Sequence, residues 1–141
     1  MNTAIVGLGY VGLPLALQFA RSGVTVLGLD IDPAKVKACN AGQSYIKHIE
    51  SAAIQAQVTQ GRFSASTDFS RVKDMDAVVI CVPTPLNKNR EPDISYILRT
   101  GEALAPHLRR GILVVLESTT YPGTTDEDLR EVLEQGSGLK A

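Results

Sequence analysis

Near the amino terminus the chain reads Gly7-Leu8-Gly9-Tyr10-Val11-Gly12, glycines spaced as G-x-G-x-x-G. An apolar run precedes them and a segment of helical period follows, the context in which such a loop can hold a pyrophosphate. Gly7 suits the tight turn, Gly9 lets backbone approach the phosphates, and Gly12 lets the following helix lie close to the strand. Tyr10 and Val11 are expected to bind cofactor with them, where a helix N-terminus offers unpaired amide hydrogens and positive potential. Pro14 falls in the first turn, where a missing N–H removes no helical bond. Asp30 closes the next apolar run about 20 residues on, the place from which a carboxylate accepts both adenosine ribose hydroxyls of a dinucleotide.

That carboxylate repels a ribose phosphate, and Ile31 and Asp32 provide no arginine to receive one, so NAD is expected rather than NADP. Lys35 could reach the same ribose from the first turn of its helix, or be a solvated surface charge. The competing structural reading has the glycines only shaping a turn and Asp30 only capping the next helix.

Apolar runs at residues 4–6, 24–29, 77–82 and 112–116 suit strands buried on both faces. Between and after them, residues 12–22, 33–41, 51–60, 94–110 and 125–135 have helical period. Gly23, Gly42, Gly61, Gly111 and Gly136 each follow such a segment, as left-handed stops do. Gly12, Ala16 and Ala20 form a smooth helical stripe for close packing on a sheet. The expected fold is α/β, a Rossmann-type doubly wound parallel sheet in strand order 3-2-1-4-5, forming a single domain over residues 1–141. In such sheets ligands bind beyond the carboxyl ends of the strands, so residues 83–92 and the loop after Leu116 are site candidates rather than mere connections.

Composition narrows the partners. Lys and Arg total 14 against 15 Asp and Glu, with no block of like charge, which argues against nucleic acid and against an acidic membrane surface. The glycine-broken N-terminal run has no basic leader and matches neither a signal peptide nor a membrane span. Cys39 and Cys81 are too far apart for a zinc or redox motif and suit a reducing compartment, so a cytoplasmic location is expected. Both cysteines are read as packing residues rather than nucleophiles. His48 and His107 have no carboxylate or cysteine at ligand spacing, and no metal site is expected.

Residues 5–16, Ile-Val-Gly-Leu-Gly-Tyr-Val-Gly-Leu-Pro-Leu-Ala, together with Cys81-Val82-Pro83-Thr84-Pro85-Leu86 and Glu117-Ser118-Thr119-Thr120-Tyr121-Pro122-Gly123-Thr124-Thr125, resemble the UDP-glucose/GDP-mannose dehydrogenase family. Tyr121 before Pro122 is most similar to the bacterial UDP-N-acetyl-hexosamine 6-dehydrogenases. The resemblance implies oxidation of a sugar's sixth-carbon alcohol to a carboxylate with two NAD, through a cysteine that captures the aldehyde. It further implies that Val82, Pro83 and Thr84 lie along the nicotinamide half and that Thr119 positions a catalytic water or substrate oxygen. A threonine hydroxyl can donate and accept, although it could also simply bond its own loop. Glu117 could orient that loop and is not assigned to catalysis.

The family's glycine-rich segment ending in Cys-Phe-Pro-Lys-Asp has no counterpart here, nor do its downstream lysine and asparagine. They are expected beyond Ala141, with the dimer-forming helix and nucleotide-sugar-binding domain, so this chain is expected to be a fragment of a homo-oligomeric enzyme and inactive alone. Two other readings compete. A stand-alone NAD-sensing module would explain the length but not the two substrate-side loops; a β-hydroxyacid dehydrogenase would carry different loops there.

Overall fold

The computed structural model describes residues 1–86, 88–91, 93–117 and 124–141. Five parallel strands form one sheet in the order β3-β2-β1-β4-β5: β1 Asn2–Val6, β2 Thr25–Leu29, β3 Phe63–Ser66, β4 Ala77–Ile80 and β5 Leu113–Leu116. Among the described residues five α-helices flank it: α1 Gly12–Arg21, α2 Pro33–Asn40, α3 Ser51–Thr59, α4 Ser95–Leu104 and α5 Arg130–Ser137.

The two-residue period of a strand divides the core. Ile5, Val26, Val79 and Cys81 face one layer with Leu13, Ala16 and Ala20 of α1 and Ile54 of α3. Ala4, Val6, Leu27, Leu29, Val78 and Ile80 face the other, with Ile97 and Leu104 of α4 and Leu129. Each fully buried aliphatic side chain contributes roughly 1.5–3 kcal/mol relative to exposure. Both faces being covered explains why residues 4–6 of β1, 26–29 of β2 and all of β4 run apolar instead of alternating.

The edge strands differ. β5 was expected to be buried on both faces, yet Leu113 is 58% exposed and Val114 to Leu116 are half-buried. At the opposite edge, Ala65 of β3 would present bare backbone groups, but the Asn40 side chain takes both: Nδ2 donates to the Ala65 carbonyl at 2.9 Å and Oδ1 accepts its N–H at 2.8 Å. One amide thereby blunts an edge open to further pairing.

Several boundaries move for local reasons. The segment expected as one helix to residue 110 ends at Leu104 and tightens into a 3-10 turn, Ala105–His107, because Pro106 has no N–H to continue it. The last helix begins with π-helical turns, Thr124–Leu129, before α5. Gly136 is not its stop; Gly138, at φ 74°, is. Gly136 lies inside α5, where a β-carbon would stand 2.5 Å from Ala105 Cβ, so its role is close helix packing.

Candidate dinucleotide cleft

Ladder bonding continues one residue beyond the strands. Gly7 N–H donates to the Leu29 carbonyl at 2.7 Å, Cys81 N–H to Val6 at 2.7 Å, and Glu117 N–H to Ile80 at 2.8 Å. The carboxyl ends of β1, β2, β4 and β5 are therefore level, and the chain segments leaving them surround a cleft of about 710 Å³. Its walls include Gly7, Gly9, Tyr10 and Val11 from the first loop, Asp30 and Lys35 from the second, and Val82, Pro83 and Thr84 after β4.

Within the glycine loop, Gly7 has φ 95°, a conformation costly for a side chain, and a β-carbon there would meet the Cys81 carbonyl at 2.8 Å. At Gly12 a β-carbon would lie 1.6 Å from the Gly7 carbonyl oxygen, so α1 can start this close to β1 only with glycine. A β-carbon at Gly9 would meet nothing within 4 Å, which leaves open space on the cleft side. Gly12 thus serves packing while Gly9 preserves access.

Helix α1 has no side-chain cap and no acid in its first turn, whereas α2 is capped by Asp32, whose Oδ1 accepts the Ala34 N–H at 2.9 Å. Among the described residues the amides of Gly9, Tyr10 and Val11 have no backbone acceptor. An uncapped helix N-terminus lined by such amides fits a pyrophosphate.

Asp30 does not cap α2, as the competing structural reading required. It is 9% exposed; Oδ2 accepts the Leu8 N–H at 2.8 Å and Oδ1 the Asp32 N–H at 2.9 Å. A carboxylate has about four acceptor sites, so two remain for ribose hydroxyls. Lys35 also borders this end of the cleft.

Cys81 lines the cleft but is only 8% exposed, and burial together with the negative charge of Glu117 pushes its thiol up to about 11. Burial likewise raises the Cys39 thiol, which is wholly enclosed. Both thiols stay protonated at neutral pH, consistent with packing roles. Thr119, assigned above to substrate or water, lies outside the described residues with the rest of 118–123. Glu117 borders the cleft.

Several wall residues escaped sequence reasoning. Tyr96, Arg99, Thr100 and Ala103 of α4 line the cleft at i, i+3, i+4 and i+7, one face of a helix, and Phe69 stands with them. The stripe itself was the signal. His48, read as solvated or locally bonded, stacks on Tyr10 with ring centroids 6.2 Å apart and planes inclined by 25°. Among the described residues no helix is long and apolar enough to cross a membrane.

The model of the UDP-glucose/GDP-mannose dehydrogenase family, NAD binding domain, matches residues 1–141. The chain is 33% identical over 140 residues to a UDP-N-acetyl-D-glucosamine 6-dehydrogenase of Pseudomonas aeruginosa, covering 99% of this chain and 32% of that protein. It is 38% identical over 141 residues to a UDP-N-acetyl-D-mannosamine dehydrogenase of Pyrococcus horikoshii, covering 99% and 33%. A crystal structure of a ternary complex of GDP-mannose dehydrogenase from Pseudomonas aeruginosa superimposes with a TM-score of 0.94 at 35% identity, covering 99% of this chain and 33% of that one. The chain spans about a third of the length of the curated relatives it matches. These matches are to dehydrogenases, and the NAD-sensing alternative finds no support among them. With its level strand ends, its glycine loop and a match running the whole length, the chain belongs to the UDP-glucose/GDP-mannose dehydrogenase family as an NAD-binding domain.

Proposed function

We propose that this chain is the cofactor-binding part of a nucleotide-sugar 6-dehydrogenase that oxidises the sixth-carbon alcohol of a UDP-N-acetyl-hexosamine to a carboxylate. The observation that carries the reading is the cleft running from Asp30 past the Gly7–Gly12 loop to Val82, Pro83 and Thr84. NAD held in this cleft would supply the hydride acceptor. Asp30 takes the adenosine ribose hydroxyls, assisted by Lys35, and disfavours a ribose phosphate by charge. The amides of Gly9, Tyr10 and Val11 hold the pyrophosphate. Val82, Pro83 and Thr84 flank the nicotinamide half, and Thr119 places a water or the substrate oxygen.

On this reading the nucleophilic cysteine, the nucleotide-sugar pocket and the contacts of a homo-oligomer would be supplied by sequence of the kind found in the two thirds of the relatives that this chain does not span. The UDP-N-acetyl-hexosamine preference is supported by the Tyr121-Pro122 loop and by the names of the relatives. A cytoplasmic location agrees with the protonated, unpaired cysteines.

Near-attack placement of the reacting carbon supplies several kcal/mol of a barrier, and one wall of a site cannot provide it. Mixed with NAD and UDP-N-acetylglucosamine, UDP-N-acetylmannosamine or UDP-glucose, this chain is expected to release no NADH. A chain of the relatives' length carrying these 141 residues is expected to turn over one of the acetylated sugars faster than UDP-glucose. Comparable turnover by the short chain would place the chemistry within it and reopen the role of Cys81.

A further inference from the structure

The connection between α2 and α3 does more than join two helices. Tyr45, half-buried there, donates its hydroxyl hydrogen to the carbonyl of Leu8, 37 residues away in the glycine loop. Its oxygen stands 3.5 Å from the Cys39 sulfur. A phenol has one hydrogen, and with that hydrogen directed at Leu8 the thiol must be the donor to Tyr45. Burial and the Cys39 contact push the Tyr45 hydroxyl well above its ordinary value, which keeps it a donor at every physiological pH.

Leu8 is held from its other side as well, because its N–H donates to Asp30 Oδ2 at 2.8 Å. Its side chain is fully buried against Gly28, where even a β-carbon would come within 2.8 Å of Leu8 Cδ2. In a trans peptide the C=O of one residue and the N–H of the next point in opposite directions. Fixing the Leu8 carbonyl toward Tyr45 therefore fixes the Gly9 N–H away from it. Gly9 lines the cleft, and its amide has no backbone acceptor among the described residues.

We infer that Tyr45 is a positioning residue for the pyrophosphate of the dinucleotide: its hydroxyl, steadied by Cys39, sets the plane of the Leu8–Gly9 peptide and so aims the amide that the phosphates accept. The inference rests on the NAD-binding reading of the cleft. Asp30 holds the same loop through the preceding peptide while reading the ribose, so the two contacts separate along the ligand. Loss of the Tyr45 hydroxyl is felt at the phosphates, whereas loss of the Asp30 carboxylate is felt at the adenosine.

The test compares NAD, ADP-ribose and adenosine by calorimetric titration, direct or by displacement, on the unaltered chain and on Tyr45→Phe. Binding of NAD to the unaltered chain checks the cleft reading by itself. Tyr45→Phe is expected to weaken NAD and ADP-ribose roughly three- to tenfold, the effect of one hydrogen bond, and to leave adenosine within twofold. His48→Ala, which removes the ring against Tyr10 but not the bond to Leu8, is expected to leave all three ligands within twofold. If Tyr45→Phe fails to fold, Cys39→Ala, which keeps the hydroxyl but removes its donor, carries the test, with a smaller loss confined to the two pyrophosphate ligands. Unchanged ADP-ribose affinity, or an equal loss for adenosine and ADP-ribose, would overturn the assignment.

Discussion

The Asp30 carboxylate accepts the Leu8 amide at 2.8 Å across 22 residues of chain, so the residue proposed to read the ribose also braces the loop proposed to hold the phosphates. Removing it has two effects that differ in kind. Leu8 N–H becomes a buried donor without a partner, which destabilises the fold by about 1–3 kcal/mol. On the proposed reading the ribose hydroxyls also lose a charged acceptor, a change on the order of 10- to 100-fold in affinity. Asp30→Ala is expected to lower NAD affinity by that amount and NADP affinity by much less, narrowing the preference. Calorimetric titration with both cofactors checks it; an unchanged NAD to NADP ratio would remove Asp30 from cofactor selection.

Gly9 and Gly12 invite a paired experiment, since the same added methyl group meets open space at one and the Gly7 carbonyl oxygen 1.6 Å away at the other. Gly12→Ala must push α1 off β1, an overpacking expected to cost about 3 kcal/mol or more, or roughly 10 °C in Tm. Gly9→Ala should melt within about 2 °C of the unaltered chain, yet lose about tenfold or more in NAD affinity because its methyl group occupies the approach to the amides. Thermal unfolding and NAD titration of both variants decide the matter. Equal melting temperatures would contradict the packing role of Gly12.

Alkali should unfold the domain sooner than its composition indicates. An unfolded thiol loses its proton near 9.0, but burial and Glu117 hold the Cys81 thiol protonated to about 11, and Cys39 and Tyr45 are raised as well. Above pH 9 the unfolded chain therefore binds fewer protons than the native one, and stability falls as pH rises. The Cys81 contribution is complete below 9 and lost by about 11. Unfolding free energies from urea titrations at pH 8 and at pH 10.5 are expected to differ by on the order of 1 kcal/mol or more, with a lower midpoint at pH 10.5. Cys81→Ala should shrink the difference, and identical midpoints in the unaltered chain would show that the thiols are not held protonated.

How much was legible in the sequence depended on distance along the chain. The Gly7–Gly12 loop and Asp30 were readable because glycine spacing and the end of an apolar run are local signals. β3 was not located: Phe63-Ser64-Ala65-Ser66 has no β-branched residue, and it becomes a strand through pairing with β2 and the Asn40 side chain. Tyr45 was missed since its acceptor lies 37 residues away, a contact no spacing rule anticipates. Gly136 was mistaken for a helix stop because a glycine needed for packing and one needed for a left-handed turn look alike until Ala105 is placed beside the first.

The β1 strand begins at Asn2 and ends at Val6, immediately before the glycine loop. At about 3.3 Å per residue, Met1 therefore lies roughly 16 Å from the cleft, at the opposite end of the sheet, where its carbonyl meets the Thr25 amide and its side chain is 73% exposed. An affinity handle or a surface-immobilisation tether joined at Met1 would leave the cleft facing solution, so immobilised chain can be titrated with dinucleotides from the open side.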